Sequence, residues 1–91
     1  MNDEIRITRP TEEELQRLDV SSWSVWEKEQ SIFPWVYGTE ETAYFLEGKV
    51  KVTTKAGKIY NIEKGDFVVF PVGLECMWEI IEPVTKRYNY T

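Results

Sequence analysis

Apolar and polar residues alternate along most of this chain, and a period of two residues is typical of β-strands with one buried face. Val50 and Val52, for example, alternate with Lys49, Lys51 and Thr53. Strands are predicted at about 23–29, 32–37, 41–47, 49–54, 58–63, 67–71, 74–81 and 84–90. Several of these segments are separated by glycine, which adopts the positive φ angles that tight turns need, at Gly38, Gly48, Gly57 and Gly65.

A short strand and a helix are predicted before the main run of strands. Ile5 and Ile7 alternate with polar neighbours, which indicates a first strand at 4–8. Thr11 and Glu14 then have the spacing of a capping box, in which each side chain satisfies a free backbone amide at a helix start. We expect this helix to end near Asp19.

Many short strands with a single helix indicate an all-β fold, which is either a sandwich or a closed barrel. The length of 91 residues leaves room for one domain. We therefore predict a single domain over 1–91. Its strand core is expected at about 22–90, and the N-terminal strand and helix at 4–19.

The composition excludes several classes of partner. The net charge is −5 and the lysines are interspersed with acidic residues, whereas nucleic acids and anionic membrane surfaces are bound by basic clusters. No apolar run approaches the roughly 18 residues of a membrane span, and residues 1–10 lack the apolar segment of a signal peptide. We expect a cytoplasmic protein with no nucleic-acid or membrane partner.

The side chains available for chemistry are limited, because histidine is absent and Cys76 is the only cysteine. An intramolecular disulfide is therefore excluded. Histidine is the commonest general base and the commonest transition-metal ligand, so its absence removes the usual basis for both kinds of site. Any reaction must use carboxylates, Cys76, tyrosines or lysines.

Two segments resemble the motifs of the cupin family. Gly65, Pro71 and Gly73 have the spacing of the second cupin motif, G-x5-P-x-G-x2-H, in which Cys76 stands at the histidine position. The run 41–48 is similar to the end of the first motif, with its glutamate and its closing glycine. As a whole the chain resembles the small single-domain cupins of the ureidoglycine aminohydrolase and ethanolamine-utilisation grouping. That resemblance implies a jelly-roll β-barrel with one short N-terminal helix.

The metal ligands of that family are mostly replaced in this chain. Of the four ligand positions that the resemblance implies, only Glu41 is retained, and Cys76 stands at the last. At the paired histidine positions stand Trp35 and Tyr37, or, with a spacing one residue longer, Pro34 and Val36. Two ligands are too few for a zinc, iron or manganese site. We expect no cofactor and no metal, and a metal would have to use Glu41 and Cys76.

The predicted catalytic residues are Glu41 and Cys76. An inward-pointing Glu41 needs a charge partner or hydrogen bonds, and the alternative is a solvated carboxylate at a strand end. Cys76 is either an inert core thiol or a thiol that faces the site. The predicted ligand-binding residues are the aromatic side chains Trp35, Tyr37, Tyr44 and Trp78. They either form the walls of a π-rich pocket or fill the barrel completely.

Two functions from different classes remain. The first is a small-molecule-binding cupin, or a hydrolase- or isomerase-like enzyme, in which Glu41 is a charge partner or general base. By the resemblance, its ligand is a small polar, amine or ureido compound. The second is a non-catalytic scaffold with a decayed site, which forms homodimers through a strand edge or through Trp23 and Trp26. An open pocket around Glu41 favours the first function, and a filled barrel favours the second.

Overall fold

The computed structural model of the protein describes residues 4–90. Its strands and helices, in chain order, are β1 (Arg6–Thr8), α1 (Glu12–Arg17), a 3₁₀ helix (Val20–Ser22), β2 (Ser24–Lys28), β3 (Ser31–Val36), β4 (Glu41–Thr54), β5 (Ile59–Glu63), β6 (Phe67–Phe70) and β7 (Glu75–Tyr90). Strands account for most of the described residues, so the predicted all-β class is confirmed.

The N-terminal helix begins at the predicted capping box. The Glu14 amide donates to the Thr11 hydroxyl at 3.2 Å, and the Thr11 amide donates to the Glu14 carboxylate at 3.0 Å. Both amides would otherwise have no partner within the first turn. The helix ends at Arg17, earlier than predicted, because the backbone at Asp19 has a φ of 56° and leads into the 3₁₀ helix. None of the residues of α1 is buried.

The two longest strands, β4 and β7, each run through both layers of a roll. The first half of β4 pairs with β6 and with the second half of β7, which also pairs with β2. The second half of β4 pairs with β5 and with the first half of β7, which also pairs with β3. All of these pairs are antiparallel, and β1 extends the first layer beyond β6. Strands that pass from one layer to the other close such a roll at its corners.

Two predicted breaks between strands are wrong. The strand β4 continues through the predicted turn at Glu47-Gly48, and β7 continues through Pro83. Register shifts between Phe45 and Val50 mark β-bulges at this position. Gly48 has a φ of 101°, and a side chain there would lie 2.7 Å from the Cα atom of Val84. Glycine therefore lets the two strands approach closely where they bend, and its signal in the sequence marks a bulge and not a hairpin.

The apolar core lies between the two layers. The side chains that are almost completely buried are Ala43, Phe45, Val50, Val52, Ile62, Val68, Phe70, Leu74 and Val84. Towards the end of the roll where β4 begins and β7 ends, the inward side chains are aromatic or charged, and Glu41 and Lys86 are both buried there. This end of the roll is the candidate functional site.

The N-terminal segment is attached to the roll by β1, which pairs with β6 from Arg6 to Thr8. Of the predicted domain over 1–91, residues 1–3 and 91 lie outside the described part of the chain. Within residues 4–90, no helix is long and apolar enough to cross a membrane.

Candidate functional site

A cavity of about 150 Å³ lies between the layers around Glu41. The side chains that line it are Trp26, Phe33, Trp35, Tyr37, Glu41, Trp78, Lys86, Tyr88 and Tyr90. An outer pocket of about 400 Å³ shares Trp35, Tyr37, Glu41 and Tyr90 with it and forms its entrance. An apolar cavity of roughly 150 Å³ can hold a benzene-sized molecule. The roll is therefore not filled at this end, and its open volume suits a small ligand.

The floor of the cavity is a buried ion pair between Glu41 and Lys86. Glu41 is the first residue of β4, and its inward direction leaves only 4% of the residue exposed. Its Oε2 atom accepts a hydrogen bond from Lys86 Nζ at 2.5 Å, and both side chains are more than nine-tenths buried. A carboxylate in this position needs a charge partner, because an isolated buried charge is strongly unfavourable. Lys86 supplies that partner.

The Lys86 ammonium is surrounded by aromatic rings. In the strand register Lys86 lies opposite Phe45 on β4 and Trp26 on β2. Its Nζ atom lies 4.9 Å from the ring centres of both Trp26 and Trp78. The rings of Phe70, Tyr88 and Phe45 follow at 5.6, 5.8 and 6.0 Å. We call these five rings the aromatic cage, and their π faces attract the ammonium group.

Burial lowers the pKa of Lys86, and the Glu41 carboxylate partly opposes that shift. The cause is the loss of hydration, which disfavours the charged form of an amine in an apolar environment. Lys86 therefore releases its proton more readily than an exposed lysine. The carboxylate at hydrogen-bond distance is placed to accept that proton.

Tyr37 is positioned by the loop that carries the second cupin-like motif. Its amide donates to the carbonyl of Leu74, and its carbonyl accepts from the amide of Gly73. Gly73 has a φ of 82°, which favours glycine at this turn. The Tyr37 ring stacks on Phe70 with a centroid distance of 4.7 Å and an interplanar angle of 8°. The motif thus fixes an aromatic wall of the cavity.

Two buried polar atoms beside the ion pair have no hydrogen-bond partner within residues 4–90, the Tyr37 hydroxyl and Trp78 Nε1. Burial, and to a lesser degree the Glu41 carboxylate, raises the pKa of Tyr37, so its hydroxyl stays protonated. The Trp78 N–H lies near enough to the Tyr37 hydroxyl to act on its pKa, but the two groups lack hydrogen-bond geometry. Leaving a buried donor unpaired costs about 1–3 kcal/mol. Both residues line the cavity, and the two donor atoms each expose less than 1 Å² of surface. A ligand oxygen in the cavity can therefore accept from them only if their side chains shift.

Cys76 is buried but is not among the residues that line the cavity or its entrance. Its thiol donates weakly to the carbonyl oxygen of Trp35, with the sulfur 3.6 Å from that oxygen. Burial raises the pKa of the Cys76 thiol to about 11, and the nearby Trp78 N–H opposes this slightly. Cys76 is therefore a protonated, weakly nucleophilic thiol at neutral pH.

The structure brings together four of the predicted site residues, Glu41, Trp35, Tyr37 and Trp78, around one cavity. Tyr44 lies elsewhere: its neighbours Ala43 and Phe45 face the core, so Tyr44 faces outward from β4. It lines a separate pocket together with side chains of α1.

Sequence reasoning missed five residues of the cavity, namely Trp26, Phe33, Lys86, Tyr88 and Tyr90. Trp26, which we considered as a dimer contact, lies in the cavity wall with its ring centre 5.8 Å from that of Trp78. A signal for Lys86 does exist in the sequence. Lys86 lies an even number of residues after the buried residues Trp78 and Val84, so it is expected on the same face of the strand. Continuing the alternation past Pro83 would have placed a lysine on the apolar face.

The residues present do not fit a metal. The Glu41 carboxylate is engaged by Lys86, and Cys76 does not line the cavity that Glu41 faces. In the described part of the chain, no three His, Cys, Asp or Glu side chains are grouped as a metal site requires. The cationic Lys86 Nζ group occupies the space beside the carboxylate, and it would repel a metal ion.

Residues 15–88 match the family model described as an EutQ-like cupin domain. The chain belongs to the EutQ-like cupin family. A crystal structure of a DUF861 family protein from Thermotoga maritima is 57% identical, with a TM-score of 0.96, and the match covers 97% of this chain and 100% of that one. The predicted cupin jelly roll is thereby confirmed.

More distant structures share this cupin fold. A putative ethanolamine utilization protein Q from Salmonella typhimurium is 23% identical with a TM-score of 0.65, and the match covers 94% of this chain and 68% of that one. The EutQ protein of Clostridium difficile is 17% identical with a TM-score of 0.66, over 72% of this chain and 52% of that one. None of the curated proteins compared with the chain matches it.

Proposed function

We propose that this EutQ-like cupin binds a small molecule in the cavity above the Glu41–Lys86 pair. The observation that carries the proposal is an ion pair more than nine-tenths buried at the floor of an open cavity. Buried ion pairs are weak contributors to stability, and apolar replacements are often as stable or more so. A role in binding accounts for the pair better than a role in folding does.

The best-fitting ligand is neutral and planar and carries a carbonyl oxygen, as a ureido or amide group does. Its oxygen would accept from the free Tyr37 hydroxyl and Trp78 N–H, and its N–H groups would donate to Glu41. Its flat faces would stack on Trp35 at the entrance, a residue that is half exposed. An amine cation fits less well, because Lys86 already occupies both the carboxylate and the aromatic cage.

The pair also suits acid–base chemistry on such a ligand. Glu41 would accept a proton, as a charge partner or general base, and the Lys86 ammonium beside it would donate one. A hydrolase- or isomerase-like reaction needs both steps. In this proposal Cys76 takes no direct part, because it lies outside the cavity lining and keeps its proton.

A thermal-shift titration tests the binding proposal with phenylurea as the neutral planar ligand and benzylamine as its cationic counterpart. A ligand that binds only the native state raises the melting temperature with its concentration. We expect phenylurea to stabilise the protein more than benzylamine does. If neither compound shifts the melting temperature at millimolar concentration, the binding proposal fails.

Tyr37→Phe is the matched variant, because it removes one hydroxyl and keeps the ring that stacks on Phe70. We expect this variant to weaken phenylurea binding about tenfold, the effect of losing roughly 1.4 kcal/mol of hydrogen bonding. Tyr44→Phe, on the outward face of β4, serves as the control and should bind as the unmodified protein does.

Homodimerisation is a second candidate, and the outer face of β3 favours it. Ile32 and Val36 are 67% and 60% exposed on that face, and the neighbouring Met77 on β7 is 44% exposed. Pairing at the edge of β3 would need backbone amide donors, and Pro34 has none. A dimer contact through the exposed side chains of β3 is therefore favoured over edge-to-edge strand pairing. Analytical ultracentrifugation of the protein and of Ile32→Lys tests it: a dimer that the substitution disrupts supports the interface, and a monomer at all concentrations excludes it.

A further inference from the structure

We infer that Lys86 is a nucleophilic amine that condenses with a small aldehyde in the cavity to form a Schiff base. The inference rests on the proposed function, since the aldehyde must first enter the same cavity. It goes beyond that function because it assigns a covalent step to a residue that no motif of the chain marks. The cavity brings together an amine, a proton acceptor and two donors without partners, and it opens to the outer pocket.

The Lys86 amine lies in the wall of the inner cavity, behind the aromatic entrance. Lys86 lines the inner cavity, but it is absent from the lining of the outer pocket, so a carbonyl compound meets the aromatic entrance before it meets the amine. The side chain is only 7% exposed. A carbonyl compound bound there is largely shielded from water, and water would otherwise hydrolyse a Schiff base.

Glu41 is the group that can free the amine for attack. Lys86 Nζ donates directly to Glu41 Oε2, so a proton can pass from nitrogen to oxygen within one hydrogen bond. Desolvation of a lysine in an apolar pocket is a known means of activating it as a nucleophile. The aromatic cage and the carboxylate favour the ammonium form, whereas burial opposes it, and the net effect is a lowered pKa.

The reaction balances with the groups on hand. The ammonium gives a proton to Glu41, and the nitrogen lone pair attacks the carbonyl carbon, forming the N–C bond as the carbonyl π electrons move to oxygen. A second proton passes from nitrogen to that oxygen to give a carbinolamine. Glu41 returns its proton to the hydroxyl, the C–O bond breaks and water leaves. The products are a protonated imine on Lys86, one water and the original carboxylate.

The unpaired donors explain why a carbonyl would be oriented for this attack. The Tyr37 hydroxyl and Trp78 Nε1 are buried without partners in the described chain, and both residues line the cavity with Lys86. Donors at the carbonyl oxygen stabilise the negative charge that develops there as the N–C bond forms. Tyr37 and Trp78 would therefore act as positioning residues for the carbonyl group.

Trapping with sodium cyanoborohydride tests the inference, with benzaldehyde as the probe and mass mapping of peptides as the readout. We expect one benzyl group at Lys86, at higher occupancy than at the exposed lysines such as Lys55, whose side chain is 76% exposed. In urea the preference for Lys86 should disappear, because the cavity is lost. Labelling of Lys86 at or below the level of Lys55 in the native protein would overturn the inference.

Two controls separate this inference from the proposed function. Benzyl alcohol matches benzaldehyde in size but cannot form an imine, so a thermal shift with benzyl alcohol and no adduct at Lys86 rejects the Schiff base alone. No adduct at Lys86, together with no thermal shift by benzyl alcohol, benzaldehyde, phenylurea or benzylamine, rejects both. Lys86→Arg keeps the charge and should lose the preferred labelling site, and the paired variant Glu41→Leu/Lys86→Met should do the same if Lys86→Arg does not fold.

Discussion

The inner and outer faces of β4 and β7 carry the same kind of ion pair in opposite environments. On the outer face, lysines of β4 and the following turn meet glutamates of β7 at 3.3–3.6 Å, with side chains 40–76% exposed, in the pairs Lys49–Glu82, Lys51–Glu79 and Lys55–Glu75. On the inner face, Lys86 and Glu41 meet at 2.5 Å and are 6–7% exposed. Exposed pairs contribute about 0–1 kcal/mol each, whereas a buried charge that loses its partner costs several times more. The outer pairs are therefore exposed surface contacts, whereas the inner pair is a buried part of the candidate site.

The largest loss of stability is expected when only one member of the Glu41–Lys86 pair is removed. Lys86→Met leaves the Glu41 carboxylate buried without a partner, and we expect a loss of about 3–5 kcal/mol in the free energy of unfolding. Urea denaturation followed by tryptophan fluorescence measures it. A loss below about 1 kcal/mol would mean that the pair is solvated in the native protein and equivalent to the outer pairs.

Removing both charges of the inner pair is expected to cost less stability than removing one. In Glu41→Leu/Lys86→Met the two apolar side chains have similar volumes to those they replace, and we expect most of the stability lost in Lys86→Met to return. The same variant should lose phenylurea binding, because the carboxylate has gone. A stable double variant that still binds phenylurea with unchanged affinity would separate the ion pair from the ligand site.

The Cys76 thiol is also buried on the inner face, and its burial predicts a smaller, pH-dependent effect on the free energy of unfolding. Burial raises the pKa of Cys76 from an ordinary value of 9.0 to about 11. The native state therefore holds the thiol proton more tightly than the unfolded state does. The protonated thiol's contribution to the free energy of unfolding is complete below pH 9 and is lost as the pH rises through about 11. We expect the stability difference between the protein and Cys76→Ala to narrow by roughly 1 kcal/mol over that window, a value reduced for partial solvation.

Comparing the protein with Cys76→Ala cancels the titration of lysines and tyrosines, which both proteins share. Urea denaturation at pH 8, 9.5 and 11 is sufficient. A difference that stays constant across the three pH values would show that the thiol is as hydrated in the native state as in the unfolded chain.

The smallest effect belongs to the outer face. Lys51→Met removes a pair in which both side chains are about 40% exposed, so we expect a change below about 1 kcal/mol that fades in 0.5 M salt. Urea denaturation at low and high salt checks it. A loss equal to that of Lys86→Met would remove the distinction between the two faces.

The sequence predicted strands, helix cap and fold class well, because each rests on local alternation or spacing. Glu41, Trp35 and Tyr37 were predicted at the site because the cupin-like motifs place them there, and Trp78 because it lies two residues after the last motif position. Lys86 was missed because the predicted strand break near Pro83 separated it from Trp78, with which it shares a face of β7.

The bulge at Gly48 shows the physical limit of such reasoning. Buried residues of β4 are odd-numbered before it, as at Phe45, and even-numbered after it, as at Val50. A glycine signals positive φ but does not distinguish a turn from a bulge, which depends on the close approach of β7 at Val84. Contacts between distant strands, including the Glu41–Lys86 pair, follow from that register and not from local sequence.

The most direct test of the central claim, a ligand cavity built on the inner ion pair, is an NMR titration of the tryptophan indole N–H resonances with phenylurea. Of the four tryptophans, three line the cavity, Trp26, Trp35 and Trp78, whereas Trp23 packs on Phe67 outside it. We expect the three cavity resonances to shift together with a single dissociation constant while Trp23 stays fixed. Shifts of equal size at all four tryptophans, or at none, would contradict the account.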